Sequence, residues 1–161
     1  MLIKRSVLVL ILFAVVAGIG ACRREGDESR IKKVIVSIQD AAEQKDVKNV
    51  IRHLSESYLD PQGYNREAVK ALLLGYFFRY PKISVYINNL QITVDGSSAK
   101  ASFETVLTSK EKTGSLKDII PQALGIYAFD VELKKESGDW KVTSARWEDI
   151  GVNSELPTDK P

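Results

Sequence analysis

Cys22 is the only thiol in this 161-residue sequence, and it directly follows an N-terminal apolar run. Lys4 and Arg5 precede that run, which extends from Val7 to Val16 and then gives way to small residues. A basic start, an apolar middle of about 7–15 residues and small residues at the cleavage point are typical of a secretory signal. Because there is no second cysteine, an exported chain cannot use this thiol for an internal disulfide. We predict that residues 1–21 are a signal peptide and that Cys22 is modified.

The quartet Ile19-Gly20-Ala21-Cys22 resembles the lipobox of bacterial lipoproteins. In that motif the cysteine becomes the first mature residue and is acylated, which implies that Cys22 carries lipid such as palmitate and holds the protein in the cell envelope. Arg23 rather than aspartate follows, and by the sorting rules of such lipoproteins this favours an outer membrane, facing the periplasm, in a Gram-negative cell. The alternative is a transmembrane anchor. It needs about 20 apolar residues, whereas only 16 residues run from Ser6 to Ala21.

The charge of the remaining chain is balanced. The signal carries two of the 23 basic side chains, Lys4 and Arg5, and none of the 21 acidic ones. A nucleic-acid-binding protein needs a basic face that releases counterions, so we expect no nucleic-acid partner. Removing the first 21 of 161 residues leaves 140, which is enough for one domain.

Few side chains suit catalysis or metal binding. His53 is the sole histidine, and its helical position lies about 110° from the centre of its apolar stripe at 100° per residue, which predicts a solvent-facing side chain. Asp40, Glu43 and Asp46 are spaced three apart around a helix end, where surface charge and helix capping explain them. A zinc or calcium site needs more converging ligands than these. We therefore predict no metal, no cofactor and no catalytic residue.

Helical periodicity dominates the first half of the domain. From Ile31 to Ala42 the apolar residues recur at the spacing of one helix face, and Asp27 or Ser29 is the candidate cap. This leaves residues 22–29 as the lipidated cysteine and a tether. Asp46 is the predicted cap of a shorter second helix. Asn65 is the predicted cap of a third helix over 66–79, because Pro81 disfavours helical geometry in the residue before it.

After Lys82 the apolar period changes to two, which predicts strands. A change of parity at Asn88-Asn89 predicts a bulge, and Asp95-Gly96 predicts a hairpin turn. A second hairpin is predicted to turn at 137–139. Trp140 and Trp147 are seven residues apart, so strict alternation puts them on opposite faces and favours Trp147 for the core.

The order of elements predicts the fold class. Helices grouped before strands indicate an α+β protein, in which three N-terminal helices pack on a four-stranded antiparallel sheet. We predict that the domain spans 30–150 and that residues 151–161, which are polar and contain proline, are a flexible tail.

Two motifs carry a resemblance to a known superfamily. Ala42-Glu43-Gln44-Lys45-Asp46-Val47 stands at the first helix junction and Gly138-Asp139-Trp140-Lys141-Val142 at the last hairpin. With the element order, they make residues 30–150 similar to the nuclear transport factor 2-like superfamily, also called the cystatin-like cone fold. The resemblance implies a sheet that wraps a long helix and leaves a pocket at the cone's open end. Members include ketosteroid isomerases, scytalone dehydratases and polyketide cyclases, and many members only bind or assemble.

Enzymes of this superfamily place acids, histidines or tyrosines inside the cone. Here the inward strand rows are apolar or aromatic, and Asp130 and Glu132 alternate out of phase with them, so we expect both acids to face water. The candidate pocket lining is aromatic: Tyr58, Tyr76, Phe103, Tyr127 and Trp147.

The candidate partner surface is apolar: Leu74, Phe78, Ile119 and Ile120. These features favour a non-catalytic, membrane-anchored binding or assembly module that pairs with an envelope protein or a second copy. The alternatives are a carrier of a small hydrophobic ligand and an isomerase- or cyclase-type enzyme.

Overall fold

A computed structural model describes residues 26–109 and 123–151. Several sequence predictions concern residues outside these ranges: the signal 1–21, Cys22, Ile119, Ile120 and nearly all of the tail. The described residues form three helices and four strands, which confirms the α+β class. The elements are α1 (Asp27–Glu43), α2 (Val47–Ile51), α3 (Arg66–Arg79), β1 (Ser84–Asp95), β2 (Ser98–Thr108), β3 (Ala123–Glu136) and β4 (Asp139–Asp149).

Helix α1 begins at Asp27, so residues 27–29 belong to the helix and not to the predicted tether. Gly26 is the N-cap, and no side chain caps this end. The expected cap, Asp27, has other partners, because its carboxylate accepts hydrogen bonds from Lys135 Nζ at 2.8 and 3.0 Å and from Trp140 Nε1 at 3.0 Å. These bonds join the first turn of α1 to the β3–β4 hairpin. The Lys135 and Trp140 bonds also hold the pKa of Asp27 below its usual range.

Both other predicted caps are present. Asp46 accepts a hydrogen bond from the backbone N–H of Asn49 at 3.0 Å, and Asn65 accepts one from Ala68 at 2.9 Å. Glu43, at the end of α1, accepts the backbone N–H of Val85 at 2.8 Å and joins the helix to β1. The acidic trio at this junction therefore contributes a cap and a helix–strand contact.

The sheet has the order β1-β2-β3-β4, and every pair is antiparallel. The turns lie where Asp95-Gly96 and Ser137-Gly138 predict them, and Gly96 and Gly138 have positive φ values of 58° and 93°. The predicted bulge is confirmed, because the β1–β2 register shifts between Asn88 and Gln91.

The prediction for the two tryptophans is wrong. Trp140 is the buried one, at 2 % exposure, whereas Trp147 is only partly buried. The cause is a second bulge: Glu132 pairs with Ser144 and Leu133 with Val142, so Thr143 is an extra residue in the register of β4 with β3. One extra residue reverses the alternation, so both indoles lie on the same face of the sheet.

That face carries the main core. Ile31 and Ile35 of α1 pack there against strand residues that include Ala101, Leu133 and Val142. Asp130 and Glu132 are exposed, as predicted from their opposite parity. A smaller cluster, which includes Val106 and Ile126, lies on the other face near the start of β1.

Candidate functional site

Three of the predicted pocket residues, Phe103, Tyr127 and Trp147, contact the ring of Phe129 on the main-core face of the sheet. Phe103 and Phe129 stack with centroids 5.4 Å apart, and Tyr127 meets Phe129 edge-on at 6.4 Å. Trp147 lies 6.4 Å from Phe129. Phe103, Tyr127, Phe129 and Trp147 are all partly buried, so they offer apolar surface beyond the sealed core. We call these four residues the aromatic row.

Tyr76 of α3 joins the aromatic row through its phenol. Burial raises the pKa of Tyr127, and a hydrogen bond between the Tyr127 and Tyr76 side chains adds to the rise. Tyr76 also lies 5.9 Å from Tyr80, centroid to centroid. The row therefore ends in a cluster of tyrosines beside α3, and this arrangement combines apolar ring faces with hydroxyl groups.

Tyr58, the fifth predicted lining residue, lies elsewhere. It is 4 % exposed and belongs to the main core, so it lines no open space. Its pKa is raised, first by burial and then by the nearby carboxylate of Asp60.

Asp60 is a buried carboxylate that sequence reasoning missed, because Asp60-Pro61-Gln62-Gly63 has the composition of an ordinary turn. The whole residue is 4 % exposed, and its Oδ1 accepts a hydrogen bond from the backbone N–H of Tyr64 at 2.8 Å. The ring of Tyr64 stacks on Trp147 with centroids 6.0 Å apart. Asp60 thus fixes a loop that covers one end of the aromatic row.

The predicted partner surface is exposed where the structure describes it. Phe78 is 94 % exposed and Leu74 53 %. Helix α3 has no buried residue at all, and its contacts with the main core come from Val69 and Leu73. Helix α3 has 14 residues and is largely apolar, yet none of its residues is buried. This is unusual, because the apolar side of a surface helix normally faces the core. Below, "the α3 surface" means Leu72, Leu74 and Phe78.

His53 is half-buried, which corrects the prediction that it faces solvent. The end of α2 lies against β4: the backbone N–H of Val142 donates to the carbonyl of His53 at 2.9 Å, and this contact brings the imidazole beside the hairpin. Burial, followed by the charges of Arg52 and Lys141, lowers the pKa of His53. The angle on a helical wheel gave no sign of this, because β4 arrives from a distant part of the sequence.

Among residues 26–109 and 123–151, no group of three or more His, Cys, Asp or Glu side chains is placed to hold a metal ion. Over the same ranges, no helix has the length and hydropathy needed to cross a bilayer.

Comparison with known proteins gives similarity in structure but not in sequence. No protein-family model and no curated protein sequence matches this chain. The structure of Bd1075 from Bdellovibrio bacteriovorus superposes with a TM-score of 0.62 at 12 % identity over 74 % of this chain. This chain spans only 40 % of the length of Bd1075.

Two other solved structures are matched along most of their length. A protein of unknown function with a cystatin-like fold from Nostoc punctiforme has a TM-score of 0.63 at 13 % identity, covering 81 % of this chain and 94 % of its own. An NTF2-like protein of unknown function from Pseudomonas putida has a TM-score of 0.62 at 19 % identity, covering 84 % and 96 %. These identities establish architecture alone, and on that basis the described domain has the cystatin-like, nuclear transport factor 2-like fold.

Proposed function

We propose that this protein is a lipid-anchored bacterial envelope lipoprotein whose single domain is a non-catalytic assembly module. The observation that carries the assembly role is the α3 surface, since Phe78 is 94 % exposed on a helix with no buried residue. Exposed apolar patches of this kind mark interaction surfaces. The cone shape expected from the resemblance is supported by register shifts in all three strand pairs, because bulges bend and twist strands.

The proposed occupant of the α3 surface is a second copy of this chain. Two α3 helices related by a two-fold axis would bury the same apolar residues on both sides, which is how isologous interfaces form. Lys45 Nζ donates to the carbonyl of Phe77 at 3.0 Å and Arg66 Nε to that of Ile51 at 3.3 Å. These polar contacts hold α3 in place while its apolar side chains stay available.

Replacement of Phe78 by aspartate is expected to weaken dimerisation of the full chain in mild detergent. Loss of a central aromatic anchor costs about 2 kcal/mol or more, which is roughly a 30-fold rise in the dimer Kd. Sedimentation velocity over a concentration series measures that constant. Leu59→Asp is the matched control, because Leu59 is also an exposed apolar residue, at 58 %, but lies outside α3. A wild-type chain that is monomeric at every concentration would contradict the proposal.

Anchoring is tested separately with Cys22→Ser. We expect the wild-type chain to fractionate with membranes and to carry a mass increase from acyl chains, whereas the serine variant remains unprocessed or becomes soluble. Acyl chains contribute about 0.8 kcal/mol per buried CH₂, so their loss removes stable anchoring. A Cys22→Ser, Ser37→Cys double variant is the control, since it restores a thiol at an exposed position of α1 without the signal context. An unmodified Cys22 in membrane-extracted protein would refute the anchor.

A second candidate function, transport of a small hydrophobic ligand, is favoured by the aromatic row. Its rings are partly buried and end at the phenols of Tyr127 and Tyr76, a lining that suits a small apolar or amphipathic molecule. If the protein is a carrier, an apolar fluorescent probe should bind with micromolar or better affinity. The Phe129→Ala substitution should lower that affinity roughly tenfold. Phe78→Asp should leave probe binding unchanged. Absence of probe binding would leave the assembly role as the simpler explanation.

An isomerase- or cyclase-type enzyme is the third candidate, and the burial of Asp60 beside Tyr58 is the observation in its favour. The hydrogen bond from Tyr64 to Asp60 explains that burial as loop anchoring. Turnover of an enolisable ketone that is abolished by Asp60→Asn in a folded protein would contradict the non-catalytic proposal.

A further inference from the structure

A basic cavity lies at the hairpin end of the domain, bounded by α1, the end of α2 and the β3–β4 hairpin. Its volume is about 270 Å³. Four cationic side chains and a single carboxylate line it together with the sole histidine: Arg30, Lys33, Arg52, Lys141, Asp139 and His53. The mature chain is balanced in charge overall, so a local excess of four cations over one carboxylate is a concentrated positive feature.

Two of the four cations, Lys141 and Arg52, are held in place by neutral partners. Lys141 Nζ donates to the backbone carbonyl of Arg52 at 2.7 Å, and Arg52 Nη1 donates to Asn49 Oδ1 at 3.0 Å. Neutral acceptors orient these two side chains without cancelling their charge. Arg30 has carboxylate partners as well, at 3.4 Å from Asp27 and 3.8 Å from Asp139.

One wall of the cavity is a buried and hydrogen-bonded indole. Trp140 lines the cavity and is 2 % exposed, and its indole Nε1 is fixed by the hydrogen bond to Asp27. Arg30 also donates to the backbone carbonyl of Gly138 at the hairpin turn. Cations mounted on a helix, a helix end and a strand around a buried ring need little rearrangement to bind an anion, and such preorganisation favours affinity.

We propose that this cavity binds a phosphate group. Guanidinium groups match phosphate oxygens with paired hydrogen bonds, and lysine adds a compact charge. A phosphate offers several acceptor oxygens in a tetrahedral arrangement, which suits cations that approach from three different elements better than a flat carboxylate does. Arg52 and Lys141 are the central ligands, since neither has a carboxylate partner among the hydrogen bonds and ion pairs of the described residues.

The position of the cavity favours a lipid headgroup as the source of that phosphate. Arg30 and Asp27 belong to the first turn of α1, and Cys22 lies five residues before Asp27, which is at most about 18 Å of extended chain. An acylated Cys22 would therefore place the cavity within reach of the bilayer surface, where the basic face would meet anionic headgroups. This choice of source rests on the proposed anchoring, whereas the phosphate site itself does not.

His53 is a built-in reporter, because it is the only histidine and lines the cavity. The full chain in mild detergent would be titrated with sodium phosphate, against sodium chloride at matched ionic strength, while its imidazole signals are followed by NMR. Binding should shift these signals saturably and raise the His53 pKa, because an anion between Arg52 and Lys141 offsets the charges that lower it. A second series would use micelles doped with phosphatidylglycerol or with zwitterionic phosphatidylcholine.

The Arg52→Gln, Lys141→Gln double variant should bind phosphate roughly tenfold or more weakly, the effect expected on losing charge-assisted hydrogen bonds. A Lys70→Gln, Lys100→Gln chain removes the same charge from α3 and β2 and should bind as the wild type does. A response to phosphate alone assigns a free phosphate compound, and a response to phosphatidylglycerol assigns a headgroup. A response to neither, or one that the double variant retains in full, overturns the site. Cys22→Ser should still bind phosphate, which separates this result from failure of the anchor.

Discussion

Replacing Trp140 by alanine is expected to lower the free energy of unfolding by about 3–5 kcal/mol, the usual cost of removing a large buried aromatic side chain. Trp140 is 2 % exposed and packs in the main core. Its Nε1 donates to Asp27, and Lys135 Nζ lies 5.7 Å from the ring centroid, so one side chain links α1, β3 and β4. Equilibrium urea denaturation, followed by far-UV circular dichroism, measures the loss.

Trp147→Ala is the matched control, because it removes the same side chain from the same face of the same strand. Trp147 is only partly buried and contacts Phe129 and Tyr64 at the edge of the main core. Its loss should therefore destabilise the fold clearly less than that of Trp140. Equal losses, or a larger loss for Trp147, would contradict the register that the bulge at Thr143 produces.

Leu133→Ala is expected to cost about 2–5 kcal/mol of unfolding free energy, since it removes a buried leucine and leaves a cavity. Leu133 is 1 % exposed and lies on β3, which pairs with β2 on one side and β4 on the other. Its side chain belongs to the main core that the sheet forms with the helices. Leu133 pairs with Ala99 of β2 and with Val142 of β4, and both partners are buried, so they have little freedom to collapse into the space. The same denaturation experiment reports the change.

Leu74→Ala makes the identical deletion on the α3 surface, where Leu74 is 53 % exposed. There the free energy of unfolding should change by no more than about 0.5 kcal/mol, as is usual for surface substitutions. The contrast tests whether α3 truly contributes no apolar packing at this position. A loss at Leu74 that approaches the loss at Leu133 would mean that the α3 surface is covered within the folded chain.

Local sequence signals were sufficient for the order of elements. Asp46 and Asn65 cap α2 and α3 as predicted, because a side chain three residues from the N–H that it binds needs no distant partner. Gly96 and Gly138 turn the two hairpins for the same reason. The α+β class follows from these local features, since helices grouped before strands can bury their apolar faces only against the sheet.

The sequence predictions failed mainly for side chains whose partners lie far away along the chain. Asp27 has the sequence position of a helix cap, yet it binds Lys135 and Trp140, more than 100 residues later in the chain. His53 was expected in solvent and instead lines the basic cavity, because β4 packs beside the end of α2. Asp60 begins a segment with the composition of an ordinary turn, and composition gives no sign that this residue is buried. The contacts of Asp27 and His53 are non-local, so no periodicity within one element reveals them.

The sequence by itself determined the helices, the hairpins, the bulge at Asn88-Asn89 and the outward position of Asp130 and Glu132, because backbone geometry and alternation within a segment control these features. Only the tertiary structure decided which tryptophan is buried, since one extra residue at the bulge, Thr143, reverses the alternation of β4. Only the tertiary structure decided that α3 stays unburied and that cations from three elements surround one cavity. Both depend on how elements pack against one another, and apolar or charged residues in a single segment are compatible with several such packings.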